Sequence, residues 1–114
     1  MTVVEIPGRA VAKQRARTVN GHTYTPARTR HYEELVAMYC RAAGARFAGA
    51  VSVEITLCSK RRLAGDLDNY AKAILDGMVK GQMIADDRQV DKLIVERVEN
   101  GHDCTYVEVS ARGG

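Results

Sequence analysis

The chain has no tryptophan, one phenylalanine, five tyrosines and two prolines in 114 residues. So few rings exclude an extended aromatic platform of the kind that stacks successive single-stranded bases. No run approaches the roughly 18 apolar residues that a membrane span needs. The opening Met1-Thr2-Val3-Val4-Glu5-Ile6 has neither the basic start nor the apolar core of a secretion signal, so a cytosolic protein is expected. Cys40, Cys58 and Cys104 are odd in number and show no CxxC spacing, which argues against a zinc site and against a disulfide framework. They read as free thiols packed as small hydrophobes. His22, His31 and His102 lack metal-ligand spacing, and Ser52, Ser59 and Ser110 have no nucleophile context.

What remains is an ordinary globular composition, 46% hydrophobic and 27% charged, in a length that fits one domain. The charge is uneven. Residues 1–62 carry eleven Lys/Arg against four acids, whereas residues 63–114 carry six against ten. A basic half beside an acidic half points to a polyanionic partner and to a place where carboxylates are needed, or else to a merely solvated surface.

Along the chain, Val3, Val4 and Ile6 form a β-prone run that ends at Pro7-Gly8. Lys13, Arg15 and Arg17 alternate and would share a face if extended. Asn20-Gly21 is a tight-turn dipeptide, and Thr23-Tyr24-Thr25-Pro26 forms the return arm of a basic hairpin or loop. Tyr32, Leu35, Val36, Tyr39, Cys40 and Ala43 recur at helical spacing, predicting a helix from Thr29, as its cap, to Ala43, with Gly44 ending it. Val51, Val53, Ile55 and Leu57 alternate as in a half-buried strand leading into Lys60-Arg61-Arg62. A second helix is predicted from Asp66 or Leu67 to Val79 on the stripe Leu67, Ala71, Ile74, Leu75 and Met78, weakened by Gly77 and ended by Gly81. Val90 to Val98 reads as a strand, and Tyr106, Val107 and Val109 as its hairpin partner across the turn at 99–103. The expected fold class is α+β, a small mixed-sheet domain over residues 1–112 with order β-(hairpin)-α-β-α-β-β and a loose tail at 113–114.

The chemistry centres on two acidic segments. Asp66 and Asp68, followed by Asn69, stand where a loop enters a helix, and the helix dipole favours negative charge there. Such carboxylates suit a hard divalent cation such as Mg²⁺. They also suit plain helix capping, and Asp68 with Lys72 has the spacing of a surface ion pair. Asp86 and Asp87 follow about twenty residues later. Adjacent acids repel unless a cation neutralises them, so a metal shared with Asp66 and Asp68 is one account and a charged turn is the other. Lys72 could offset charge developing on a phosphate.

Gly65-Asp66-Leu67-Asp68-Asn69, Lys72 and Asp76-Gly77, followed by Ile84, Asp86-Asp87 and Gln89-Val90, strongly resemble the RusA family of Holliday-junction resolvases. The basic Lys13-Gln14-Arg15 with Arg17, and Tyr24-Thr25-Pro26, are similar to the phage and prophage version of that family. The resemblance runs from about Val4 to Val109. It implies a homodimeric, Mg²⁺-dependent endonuclease, with Mn²⁺ as a substitute, that resolves four-way junctions by paired symmetric nicks in recombination and repair, in a bacterial or phage-infected cell. It implies catalytic roles for Asp66, Asp68, Asp87 and Lys72, with Asp86 as a supporting metal-site acid and Asn69 and Asp76 behind them. Lys13, Arg15, Arg17, Lys60, Arg61 and Arg62 are the expected DNA contacts. A DNA-binding module without cleavage, or a metal-dependent nuclease acting on flaps or forks, are the competing readings.

Overall fold

The computed structural model of the chain describes residues 1–113, apart from the Arg17 side chain; the contact expected at Arg17 and the last tail residue, Gly114, lie outside the described residues. The elements in order are β1 (Thr2–Pro7), β2 (Arg17–Val19), β3 (His22–Tyr24), α1 (Ala27–Ala43), β4 (Val51–Ser59), α2 (Leu67–Lys80), a 3₁₀ turn (Asp87–Gln89), β5 (Val90–Glu99) and β6 (Cys104–Ala111). This is the expected small α+β domain with a mixed sheet. The main sheet has the order β1-β6-β4-β5, in which β5 runs parallel to β4 and the other pairings are antiparallel.

The alternation in β4 decides which face of the sheet is dry. Val51, Val53, Ile55 and Leu57 are buried to 1% exposure or less, while Glu54 between them is exposed. Over that face lie Val36 and Cys40 from α1 and Ala71, Ile74 and Met78 from α2. Each fully buried aliphatic side chain contributes about 1.5–3 kcal/mol.

The predicted hairpin between the last two strands does not form. β6 pairs with β4 and β1, on the opposite side of β4 from β5. The apolar residues decide this: Val107 and Val109 are fully buried, whereas Leu93 and Ile94 are each 42% exposed. The more deeply apolar strand takes the central position, and β5 is left at the edge.

Helix α1 starts two residues earlier than predicted, after Pro26, and makes no side-chain cap. Thr29 is instead buried inside the first turn; its hydroxyl accepts the Gln14 N–H at 3.2 Å and donates to the Ala12 carbonyl at 3.4 Å. Gly44 ends the helix as predicted, in the left-handed region at φ 73°. Gly77 has a use that helix propensity hides: a Cβ there would lie 2.6 Å from Val36 Cβ, so its absence lets α1 and α2 approach. The three cysteines are free and buried, as expected, and burial pushes the Cys40 thiol up to about 11.

Candidate active site

The loop from Lys60 to Asp66 carries the basic run into the first acidic pair, and side chains from elsewhere hold it in place. The Arg9 guanidinium donates to the Arg61 and Arg62 carbonyls at 2.8 and 3.1 Å, and Arg97 of β5 donates to the Leu63 carbonyl. The Asp103 carboxylate accepts the Lys60 N–H at 2.8 Å. Gly65 N–H donates to the Tyr70 hydroxyl at 3.2 Å, and a Cβ on Gly65 would sit 2.9 Å from that ring. With the backbone held, Lys60, Arg61 and Arg62 are exposed.

Asp66 occupies the N-cap position of α2, and its carbonyl accepts the Asn69 N–H at 3.1 Å, yet its side chain makes no capping bond. Asp68 stands exposed in the first turn, with Lys72 exposed one turn later. Asp68 and Lys72 do not pair, and among the described residues Asp66, Asp68 and Asp87 enter no ion pair. The two bland accounts of the first segment therefore lack the bonds they require.

The second segment is a rigid turn at the other end of α2. Gln89 Oε1 accepts the Ala85 and Asp86 N–H groups at 2.6 and 3.1 Å, and its Nε2 donates to the Phe47 and Gly49 carbonyls at 2.7 and 2.8 Å. Asp86 completes a capping box, with its Oδ1 accepting the Arg88 N–H at 2.8 Å. That backbone bond, then a hydrogen bond with Asp87 and the Arg88 guanidinium, hold the Asp86 carboxyl below the usual carboxylate range. Asp86 thus shapes the turn, and Asp87 stands exposed upon it.

Between the two segments lies a charge network that the sequence did not disclose. Glu33 of α1 is 2% exposed, and its carboxylate accepts from Lys13 at 2.6 Å and from Lys80 at 2.9 Å. Lys13 also pairs with Asp76 at 2.9 Å. Burial opposes charge on Glu33, but the two lysines outweigh it and hold the carboxyl below its ordinary range. Burial likewise opposes charge on Lys13, and Glu33 and Asp76 outweigh it, raising its pKa. The Lys13 N–H donates to the Asn69 carbonyl at 2.8 Å, so this residue ties the N-terminal segment to both helices. Lys13, expected to touch DNA, has its ammonium already neutralised. A signal for Glu33 existed: it lies three residues before Val36, on the buried side of α1. The network borders a cavity of about 480 Å³ that also contains Thr25, Asp86 and Asp87.

The expected carboxylates are thus not gathered within one chain. Among the described residues, no three His, Cys, Asp or Glu side chains converge closely enough to hold a metal ion. From Asp68 to Lys80, beside which Asp87 lines the cavity, is about 18 Å of helix at 1.5 Å per residue. The donor type fits a hard cation, since exposed carboxylate oxygens are what Mg²⁺ selects; the donor number in one chain does not.

Among the described residues no helix is long and apolar enough to cross a membrane. No curated protein matches the chain. A family model, Endodeoxyribonuclease RusA, matches residues 7–110 and takes in both acidic segments, the basic loop and the Lys13 network. The chain therefore belongs to the RusA family of endodeoxyribonucleases, hydrolases that resolve Holliday junctions and depend on a divalent metal.

Proposed function

We propose that the protein is a Mg²⁺-dependent, structure-selective endonuclease, with Mn²⁺ as a substitute, that resolves four-way DNA junctions by paired symmetric nicks as a homodimer in recombination and repair. The observation that carries this reading is the pair of unpartnered carboxylates at one end of α2, with a third presented at the other. A second copy resolves the shortfall in donors. Strand β5 is a ten-residue edge with Leu93 and Ile94 exposed, and unpaired edges are templates for pairing. It runs from the Asp87 end of α2, where Val90 pairs with Val51, to the Asp66 end, where Glu99 pairs with Ser59. Antiparallel β5–β5 pairing about a two-fold axis brings Asp87 of the partner subunit toward Asp66 and Asp68. Such isologous contact also creates two equal sites, as paired nicks require.

When bound, the metal supplies charge neutralisation at the phosphate and makes a water easier to deprotonate. Asp66, Asp68 and the partner's Asp87 are the residues that would hold it. Lys72, one turn beyond Asp68, places an ammonium on the same helix face and stabilises charge on the phosphate oxygens. Asn69 supports the first segment through its carbonyl bond to Lys13, and Asp76 supports it by orienting Lys13. Arg15, Lys60, Arg61 and Arg62 neutralise backbone phosphates, so binding weakens steeply with salt. The test is cleavage of a fixed four-way junction mapped to the nucleotide, beside three-way, flap and single-stranded DNA, with Mg²⁺, Mn²⁺ or EDTA. Symmetric cuts near the branch point that need the ion are expected. Preference for flaps or three-way forks would replace the junction reading, and no cutting of any substrate would end the enzyme reading.

A further inference from the structure

The hairpin of β2 and β3 is unlike every other element in the fold. It forms its own two-stranded sheet, adds no residue to the hydrophobic core, and has both of its chain connections tied down. On one side Lys13 is held by Glu33, Asp76 and the Asn69 carbonyl. On the other, Pro26 is buried, and its carbonyl accepts the Arg30 N–H at 3.1 Å. The register pairs Thr18 with Thr23 and Val19 with His22. Because strand residues alternate, the threonines share one face, where their hydroxyls meet at 3.2 Å. The opposite face carries Val19, His22 and Tyr24.

The described residues of that second face are exposed. Val19 is 52% and Tyr24 is 44% exposed, and among the described residues Tyr24 is the one aromatic side chain classed as exposed. Isolated exposed apolar residues need no explanation. Here an aromatic, an imidazole and a branched aliphatic group share one small face on a segment that, among the described residues, adds nothing to the hydrophobic core. The segment's own charge is of one sign: from Ile6 to Tyr32 there are six Lys/Arg and no Asp or Glu, and of these Lys13 is already paired with Glu33 and Asp76. A polyanion is the complementary partner, and the apolar tip asks for something that a phosphate backbone does not provide. Apolar side chains inserted at a base step part the stack and kink the duplex, and a single ring can receive one unstacked base.

We infer that the β2–β3 hairpin is a DNA wedge, in which Tyr24, flanked by Val19, stacks on a base exposed at the branch point. The inference rests on the junction-nuclease reading and adds to it the element that senses the branch. One ring is not a platform, and a branch point offers one or two open base faces rather than a strand of them. The anchoring of Lys13 and Pro26 gives the wedge a fixed base from which to push.

The experiment is binding of four-way junction and linear duplex of equal length, in EDTA so that neither is cut, by the unaltered protein, Tyr24→Phe and Tyr24→Ala. A 2-aminopurine at the branch point reports unstacking in parallel. Tyr24→Ala is expected to weaken junction binding by roughly 5- to 150-fold, the range set by loss of one base–ring stack. It should remove most of the fluorescence rise and leave duplex binding unchanged, while Tyr24→Phe should match the unaltered protein. Equal weakening on both substrates, or no effect on either, would overturn the wedge. So would a shift of Tyr24→Ala from dimer to monomer in sedimentation, which would make the hairpin a subunit contact. Failure of the unaltered protein to prefer a junction would remove the reading beneath the inference, an outcome the duplex arm keeps distinct.

Discussion

The two ends of α2 treat charge in opposite ways. Toward the C-terminal end, Asp76 and Lys80 are engaged with Lys13 and Glu33, so each carboxylate and ammonium of that set has a partner within 2.9 Å. Toward the N-terminal end, Asp66, Asp68 and Lys72 are exposed, and none of them enters an ion pair among the described residues. A buried charge left unpaired is costly, which is why the Glu33 set closes on itself. Exposed charges bear no such penalty and can stay available for a ligand. The contrast separates charges that build the domain from charges that act on something outside it.

The largest effect should come from splitting the acidic pair from Asp87. Asp68→Asn and Asp87→Asn should each lose junction cleavage to background while keeping their fold by circular dichroism. Mixed and allowed to exchange subunits, the two should recover single nicks, because half of the sites in a heterodimer would then be intact. No recovery on mixing would mean that the three carboxylates work within one chain, against their separation along α2.

The closed end should answer to stability rather than chemistry. Glu33→Gln leaves Lys80 without a counter-charge and Lys13 with Asp76 alone. Breaking a buried pair costs about 3–5 kcal/mol. Because Lys80 is 43% and Lys13 23% exposed at the side chain, solvent screening reduces this to about 2 kcal/mol, measurable by urea unfolding. The pH dependence has a definite sign. The Glu33 carboxyl is held below its ordinary value of 4.5, so its contribution is present above that value and is lost as pH falls through the lower, folded one. The gap between the unaltered protein and Glu33→Gln should therefore be widest near neutrality and close in acid. For Lys13, whose pKa is raised above 10.5, the contribution is present below that value and is lost at still higher pH. A gap that did not narrow in acid would assign the loss to packing instead.

A smaller effect is expected at Gly77. In a free helix Gly→Ala stabilises by about 1 kcal/mol. Here the new methyl would lie 2.6 Å from Val36 Cβ and 2.9 Å from the Glu33 carbonyl oxygen. Overpacking of about 1–3 kcal/mol outweighs propensity, so thermal unfolding of Gly77→Ala should occur at a lower temperature. A higher one would show that α1 can yield.

The sequence by itself determined the elements that rest on local periodicity and turn chemistry. The β4 alternation, the stripe of α2, the Asn20-Gly21 hairpin and the Gly44 stop are each decided within a few residues by side-chain spacing and backbone freedom. It also determined the motif that places the chain in its family, because a dozen residues at set spacing need no coordinates to be compared. Only the tertiary structure decided that β6, not β5, occupies the middle of the sheet, since strand order depends on which strand buries more apolar surface once all are present. Only the tertiary structure disclosed that Lys13 ties the two helices, because its partners lie 20 and 63 positions away along the chain. The same limit governs the carboxylates. Spacing in sequence made Asp66, Asp68 and Asp87 one cluster, whereas Asp66 and Asp68 stand at the start of a 14-residue helix and Asp87 beyond its end, and a rigid rod separates what a motif lists side by side.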